Sequence, residues 1–203
     1  MKVLVTGFEP FGGEKMNPAL EAVKLLPGEI AGAEIIKLEV PVVFSRSTTV
    51  IEKAINQYKP DIIISVGQAG GYSHIAVERV AVNIAQASIP DNDGEQPNGT
   101  PLREDGEMAY NATVPVDAMI QNVIDHKIPC RVSFSAGTYV CNALMYNVLY
   151  ILNKQYPKSR AGFIHVPFST EQVENRPGKV PSMPLDTITN AIKYCIEAAV
   201  LNN

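Results

Sequence analysis

The segment Ser135-Ala-Gly-Thr-Tyr-Val-Cys-Asn142 brings a cysteine to the start of a predicted helix. It joins an extended run, Arg131–Phe134, to a helical run, Tyr139–Asn153, so Cys141 is expected near a helix amino terminus. Unpaired backbone N–H groups and the positive end of the helix dipole favour the thiolate there, which is the form that attacks carbonyl carbon. Cys141 is therefore a candidate nucleophile, and a buried core cysteine is the alternative interpretation.

A cysteine nucleophile needs a base that takes its proton and a third group that orients the base. The chain has three histidines. His74 lies in a polar stretch and His126 at the predicted exposed end of a helix, whereas His165 lies near the end of the apolar run Gly162–Pro167. That run is predicted as a buried strand, and sites in open α/β sheets assemble at strand carboxyl ends. His165 is the preferred base, and a core histidine bonded to backbone is the alternative.

The run Val77–Ala85 alternates with a period of two, as half-buried strands do. This period places Glu78 on the same face as Val80 and Val82. A carboxylate on an apolar face is costly unless it is paired, so Glu78 is the candidate for orienting His165. A strand-end glutamate that turns out to water is the alternative.

The elements that must position these residues alternate between apolar strands and amphipathic helices. The predicted strands are Lys2–Thr6, Glu34–Val40, Asp61–Val66, Val77–Ala85, Arg131–Phe134 and Gly162–Val166. A further predicted helix begins at Asn17-Pro18 and ends at Pro27-Gly28. The remaining predicted helices are Arg46–Tyr58, Val116–Asp125 and Leu185–Leu201. This alternation predicts the α/β class: a mostly parallel, twisted sheet covered by helices on both faces, as a single-domain α/β/α sandwich over residues 1–203.

A long segment at about residues 86–113 interrupts the alternation. It is rich in Pro, Gly, Asp and Asn and is too long for an ordinary connector, so it is either a functional loop or a solvated surface excursion. Two glycine-rich turns, Gly7–Gly13 and Gly67–Gly71, each follow a predicted strand. They lack the spacing of nucleotide-binding loops, which makes a phosphate site the weaker interpretation.

Composition excludes several classes of protein. A chain of 203 residues with a net charge of −4 and no run of Lys or Arg is expected to bind neither nucleic acid nor an acidic membrane surface. No apolar stretch approaches the roughly 20 residues of a membrane span, and the amino terminus resembles a strand rather than a signal peptide, which predicts a cytoplasmic protein. Cys130, Cys141 and Cys195 match no zinc pattern, so we expect no disulfide, no metal and no cofactor.

Six motifs together resemble the pyroglutamyl-peptidase type I family of cysteine peptidases, also called pyrrolidone-carboxylate peptidases. They are Gly7-Phe-Glu-Pro-Phe-Gly-Gly13, Gly67-Gln-Ala-Gly-Gly71, Glu78-Arg-Val-Ala-Val-Asn83, Ile89-Pro-Asp-Asn92, Ser135-Ala-Gly-Thr-Tyr-Val-Cys-Asn142 and Gly162-Phe-Ile-His-Val-Pro167. The resemblance implies an α/β/α sandwich in which Cys141 is the nucleophile, His165 the general base and then acid, and Glu78 the group that orients His165. The implied reaction removes an amino-terminal pyroglutamyl residue from a peptide through a thioester with Cys141.

The implied substrate has its terminal nitrogen locked in a five-membered lactam, so no ammonium group has to be bound. A small flat ring calls for apolar walls and one or two polar groups. The resemblance implies that Phe8, Phe11 and Tyr139 form the walls and that Gln68 and Ile89 complete the pocket, with the long loop at its border. It also implies a homotetramer. Phe8 and Phe11 as core side chains are the alternative.

The sequence departs from the family in three places, at residues 85–88, at residue 72 and at residue 134. Members commonly have Asp-Asp-Ala-Arg-Ile-Pro-Asp-Asn where this chain has Ala85–Asn92, so the arginine implicated in stabilising the oxyanion is Ser88. Tyr72 and Phe134 stand where relatives often carry Arg and Asn. These departures favour slow turnover. They leave two alternatives: a catalytically weak ligand-binding protein of the same fold, and a nucleoside phosphorylase-like enzyme suggested by the glycine-rich turns.

Overall fold

The computed structural model of the protein describes residues 1–202, which form thirteen strands and six helices. The strands are β1 (Lys2–Phe8), β2 (Glu29–Ile30), β3 (Ala33–Val40), β4 (Ile62–Gln68), β5 (Ile75–Glu78), β6 (Val80–Val82), β7 (Ala85–Gln86), β8 (Asn98–Thr100), β9 (Ala109–Asn111), β10 (Cys130–Ser133), β11 (Arg160–Val166), β12 (Phe168–Ser169) and β13 (Ser182–Met183). The helices are α1 (Pro18–Leu25), α2 (Phe44–Tyr58), α3 (Val116–Asp125), α4 (Val140–Gln155), α5 (Thr170–Val173) and α6 (Leu185–Leu201).

Seven of the strands build one central sheet in the order β10-β5-β11-β4-β1-β3-β2. The ladders β1–β3, β1–β4, β4–β11 and β5–β10 are parallel, and only β5–β11 and β2–β3 are antiparallel. The predicted α/β class with a mostly parallel sheet is therefore confirmed. The antiparallel contact of β5 with β11 was not foreseen, and it brings Glu78 and His165 to neighbouring strands.

Two hydrophobic cores flank the sheet. Helices α1, α3 and α6 pack on one face, where the core includes Val3, Ile64 and Ile164. Helices α2 and α4 cover the other face, where Leu4 and Phe163 contribute. Consecutive residues of a strand point to opposite faces, so Phe163 and His165 both point towards α4 while Ile164 points away from it. No helix within residues 1–202 has the length and apolar character needed to cross a membrane.

Hydrogen bonds to backbone N–H groups fix where helices α1 and α2 begin. The side chain of Asn17 accepts a hydrogen bond from the Ala19 N–H at 3.1 Å, and Pro18 follows at the first helical position, as predicted. Helix α2 begins at Phe44, earlier than the predicted Arg46. The reason is remote in the sequence: Asp91 of the long loop accepts a hydrogen bond from the Phe44 N–H at 3.0 Å and caps the helix from outside.

The prediction of one strand over Val77–Ala85 is wrong. The chain forms β5, β6 and β7 instead, because at Arg79 it leaves the central sheet: the Arg79 N–H donates to the Ser133 carbonyl and the Arg79 carbonyl accepts from the Ala112 N–H. Beyond this break the predicted alternation also fails, since Ala81 is fully buried while Val80 is only half-buried. The region at 86–113 contains further short pairings, in which β8 pairs with β7 and β9 pairs with β6.

Candidate active site

Cys141 is the second residue of α4, at the helix amino terminus that the sequence predicted. The turn before the helix uses Gly137 at φ 75°, a conformation that favours glycine. The next helical residue, Asn142, is buried and fastens the helix to β6: its side chain accepts from the Val82 N–H at 2.9 Å and donates to the Val82 and Ile84 carbonyls at 2.9 and 3.1 Å. The thiol is thus held on a rigid element.

Gly67 makes room for the sulfur of Cys141 beside His165. A Cβ atom at residue 67 would lie 2.9 Å from Cys141 Sγ, so the sulfur occupies space that any other residue would fill. Gly67 is the register partner of His165 in the parallel β4–β11 ladder, and partners in adjacent strands point to the same face. The sheet register therefore places the imidazole next to the thiol.

Glu78 lies across the antiparallel ladder from Phe163, two residues from His165 on the same face. Its Oε1 atom is 2.7 Å from His165 Nδ1, and both side chains are buried. Burial lowers the pKa of His165, but hydrogen bonds with Cys141 and Glu78 and the charges of the same two groups outweigh it and raise that pKa to about 9. The three residues selected from the sequence are thus brought together in the order thiol, imidazole, carboxylate.

The other histidines have different partners. The His74 ring stacks on Tyr72 at 5.0 Å between centroids, and its pKa is lowered by burial and then by the charge of Arg131. The ring of His126 stacks on Tyr194 at 3.6 Å. His165 is the histidine that the structure brings to Cys141.

A narrow apolar cleft of about 230 Å³ opens beside Cys141. Four of the five residues predicted to bind a ligand line it together with the thiol; the full lining consists of Phe8, Phe11, Asn17, Val42, Gln68, Tyr139, Val140 and Cys141. The arrangement suits a small, flat, weakly polar group held next to a nucleophile.

The loop residues 89–92 pack against the walls of the cleft. The Tyr139 hydroxyl donates to the Pro90 carbonyl at 3.0 Å. Asn92 donates to the Glu9 carboxylate at 2.8 Å and to the Pro10 carbonyl at 3.0 Å. These contacts connect the long loop with the turn after β1 and with the start of α4, so the loop fixes the position of both walls.

Besides His165 and Glu78, four residues singled out from the sequence lie outside the lining of the cleft. Ile89, the fifth predicted binding residue, is 45% exposed. Ser88 is exposed on a bend next to it, and Phe134 is 68% exposed at the end of β10. Tyr72 stacks on His74. The departures at residues 72, 88 and 134 therefore leave the cleft walls and the thiol–imidazole–carboxylate group intact.

Sequence reasoning missed Asn17 and Val42 as lining residues. Asn17 was recognised only as a helix cap, although a buried asparagine beside an apolar turn is a signal that its amide serves a second purpose; here it donates to the Glu9 carbonyl at 3.1 Å. Val42 follows β3 and reaches the cleft because its N–H donates to the Glu9 carboxylate at 3.1 Å. No periodic pattern marks either position.

Comparison with known proteins gives one consistent family. The family model described as pyroglutamyl peptidase matches residues 1–202. The pyrrolidone-carboxylate peptidase of Enterococcus faecalis is 55% identical over 200 residues, which are 98% of this chain and 93% of that protein. The crystal structure of pyroglutamyl peptidase I from Bacillus amyloliquefaciens superposes with a TM-score of 0.95 at 44% identity, covering 98% of this chain and 95% of the other. A mutant pyrrolidone carboxyl peptidase from Pyrococcus furiosus superposes with a TM-score of 0.95 at 43% identity, covering 100% and 99%.

Proposed function

Because the chain belongs to the pyroglutamyl peptidase family, we propose that Cys141, His165 and Glu78 are the catalytic groups of its reaction. The protein is a cysteine-type exopeptidase that removes an amino-terminal pyroglutamyl residue from peptides. The observation that carries the assignment is the 2.7 Å contact between His165 Nδ1 and Glu78 Oε1, with Cys141 close enough to the same imidazole to help raise its pKa.

In the first step the Cys141 thiolate attacks the carbonyl carbon of the pyroglutamyl residue. With its pKa raised to about 9, His165 keeps its proton at neutral pH and transfers it to the departing amine as the C–N bond breaks. Glu78 holds the imidazole by its Nδ1 atom, which directs the other ring nitrogen at the reacting atoms. The product of this step is a thioester, and the shortened peptide leaves.

In the second step His165 takes a proton from water, whose oxygen attacks the thioester and releases pyroglutamate and the thiolate. Each attack places negative charge on the carbonyl oxygen. The N–H of Cys141 belongs to the first turn of α4, where backbone donors have no intrahelical acceptor. It can donate to that oxygen in both steps.

The cleft supplies the binding site in this proposal. Phe8, Phe11 and Tyr139 provide apolar walls for the lactam ring, and Gln68 provides the polar group. The exposed Ile89 serves as part of the rim, where it meets the peptide beyond the ring. The loop at 86–113 borders the substrate because its residues 89–92 hydrogen-bond to both walls.

We also propose that residues 1–203 act as one domain in the cytoplasm and assemble into a homotetramer. One sheet with a core on each face supports a single domain. Three free thiols suit a reducing compartment. Assembly is supported by the edge strand β10, which exposes Val132 and has the exposed Phe134 at its end, since apolar groups on an unpaired edge are usually covered. No finding favours the ligand-binding or phosphorylase alternatives.

The assignment can be tested by chemical labelling. Iodoacetamide should inactivate the enzyme against a pyroglutamyl chromogenic amide, with one label at Cys141 and slower reaction at the other two cysteines. Burial raises the pKa of Cys130 to about 12 and that of Cys195 well above its ordinary value, so neither forms a thiolate readily. Mass spectrometry of the partly inactivated protein gives the order of reaction. Loss of activity with Cys141 unlabelled would refute the assignment.

A further inference from the structure

A chain of hydrogen bonds runs from the wall of the cleft to the segment that follows β11. Gln172 of α5 donates through Nε2 to Gln68 Oε1 at 3.1 Å and to Glu14 Oε2 at 3.0 Å. The other oxygen of Glu14 pairs with Arg176, whose guanidinium lies 4.3 Å from the ring centroid of Phe168. Gln68 lines the cleft, whereas Gln172 and Arg176 lie behind it.

The charge of Glu14 sets the direction of these hydrogen bonds. A carboxylate only accepts hydrogen bonds, so the amino end of the Gln172 amide must face it. That amino group has two hydrogens, and the second one meets Oε1 of Gln68. The opposite orientation of Gln172 would place its oxygen against two other oxygens.

The orientation of the Gln172 amide has a free-energy cost. Its Oε1 atom is buried and has no hydrogen-bond partner within residues 1–202. Leaving a buried acceptor unpaired is unfavourable, and such atoms in native structures call for an explanation. The ion pair of Glu14 with Arg176 supplies one, because it keeps the carboxylate in place and so excludes the flipped amide.

The orientation of Gln172 determines which end of the Gln68 amide faces the cleft. Its oxygen is occupied by Gln172, and its Nε2 makes no hydrogen bond to the described part of the chain, so the end left for a ligand is a donor. We propose that Gln172 is a positioning residue that makes Gln68 present N–H groups to the cleft, and that this selects the ring carbonyl of the pyroglutamyl group. A prolyl group has no such carbonyl and carries its own N–H donors. This inference rests on the proposed function and adds a basis for its specificity.

Hydrogen bonds and side-chain packing hold the segment that carries Gln172 in a fixed position. The Ser169 hydroxyl is buried and accepts from the Gln172 N–H at 3.3 Å. The ring of Phe168 fills the space beside Gly70, where a Cβ atom would lie 2.5 Å from it. On the other side, the Glu14 N–H donates to the Phe11 carbonyl at 3.1 Å, which ties the carboxylate to a cleft wall.

The test is steady-state kinetics of Gln172→Met, which keeps the shape of the side chain and removes its hydrogen bonds. Because the ring contact is made in the ground state and the transition state alike, KM for a pyroglutamyl chromogenic amide should rise about three- to tenfold with kcat nearly unchanged. The preference over the matching prolyl amide should shrink by the same factor. Glu171→Gln, an exposed change in the same helix, is the matched control and should alter neither constant.

A double mutant separates this role from a general structural one. In a Gln68→Ala background, Gln172→Met should raise KM by less than twofold, since it acts only through Gln68. Should Gln172→Met fail to fold, Glu14→Gln replaces it, and the loss of the orienting charge should raise KM about threefold. A KM within twofold of wild type, or an equal effect in both backgrounds, would overturn the proposal. The rate of Cys141 alkylation by iodoacetamide should not change, whereas a failure to label Cys141 at all would count against the catalytic assignment instead.

Discussion

The molecule contains two thiol regions with opposite properties. Cys130 and Cys195 lie in the core on the α3 and α6 face, where burial raises the pKa of Cys130 to about 12 and that of Cys195 well above its ordinary value. Cys141 lies on the other face, half-buried at the first turn of α4 and close enough to His165 to help raise the pKa of that imidazole. The same side chain is a core residue in one region and a nucleophile in the other, because the neighbours differ.

The difference also shows how the reactive region is built. The core around Cys195 requires only apolar side chains of the right period along α3 and α6. The region around Cys141 requires a glycine opposite the sulfur, an antiparallel strand that carries Glu78, and Asn142 to fix the helix. Its chemistry therefore depends on contacts between segments far apart in the sequence.

Exchanging the cysteines for serine should give opposite outcomes in the two regions. Cys141→Ser should keep the fold and lose activity by about 10⁴- to 10⁶-fold, because a nucleophile and its base act as one unit. Cys195→Ser should keep kcat and lose about 1–3 kcal/mol of unfolding free energy, because it buries a hydroxyl among apolar side chains. Amide hydrolysis and urea unfolding measure the two effects. A Cys141→Ser protein with kcat within tenfold of wild type would break the comparison.

Removing the base should be almost as severe. His165→Ala is expected to lower kcat by on the order of 10⁴-fold or more, since no other group is left to protonate the departing amine. His126→Ala is the matched control, because its ring stacks on Tyr194 of α6, on the opposite face of the sheet from α4, and it should leave kcat unchanged. A His165→Ala protein with wild-type kcat would rule out the proposed triad, and His74 would then be the next candidate base.

Changing the orienting carboxylate should have a smaller effect. Glu78→Gln keeps the size of the side chain and removes its charge, and kcat should fall about 10²-fold less than in His165→Ala, as expected for the third member of a triad. The ring of His165 remains near the thiol but loses the charged acceptor that holds its Nδ1–H most strongly. Steady-state rates on the pyroglutamyl amide measure this. Equal losses in the two variants would mean that Glu78 does more than orient.

Glu78→Gln should also change the pH dependence of the activity. The pKa of His165 is raised from 6.5 to about 9, so protonation of the ring stabilises the fold in full below about pH 6.5 and the stabilisation is lost as pH rises through about 9. Activity should decline over the same alkaline range as the imidazolium loses its proton. In Glu78→Gln the negative charge is gone and the charge-assisted hydrogen bond becomes a weaker neutral one, so the alkaline limb of kcat/KM should move to lower pH. An unmoved limb would contradict the assigned contact.

What the sequence predicts well is local. Helices α3 and α6 have the predicted bounds because the period of their apolar residues is a property of each segment alone. The start of α1 follows from the pair Asn17 and Pro18. Of the site, the motifs identified Cys141 at its helix terminus, and the structure brings His165 and Glu78 to it as the family resemblance implied.

What the sequence could not predict depends on tertiary contacts. The run Val77–Ala85 alternates like one strand, yet it divides at Arg79 because Ser133 and Ala112 offer hydrogen bonds on different sides. Gln172 reaches Gln68 across 104 positions and Glu14 across 158, separations at which neither periodicity nor spacing carries information. Such contacts decide which end of an amide faces the cleft.

Position 88 offers a way to measure how complete the reactive region is. Ser88 lies on an exposed bend two residues after Gln86, whose N–H donates to the Thr138 carbonyl at 3.0 Å and whose own carbonyl accepts from the Thr138 hydroxyl at 2.8 Å. That pairing holds the bend alongside the start of α4, and the exposed position 88 has room for the longer side chain of arginine. An oxyanion donor contributes on the order of 10² to 10³ in kcat, and the Cys141 N–H already supplies one.

We therefore expect Ser88→Arg to raise kcat by up to about 10² while KM changes little, because the added hydrogen bond forms mainly in the transition state. Gln86→Asp can be added to hold the guanidinium, since residue 86 is exposed, whereas Ala85 is buried and an aspartate there would cost stability. Ser88→Gln is the matched control: it lengthens the side chain without the charge and should stay near the wild-type rate. If folded Ser88→Arg proteins with and without Gln86→Asp are no faster than wild type, the backbone donor of α4 is sufficient. The contrast between the two thiol regions would then rest on Cys141, His165 and Glu78 alone.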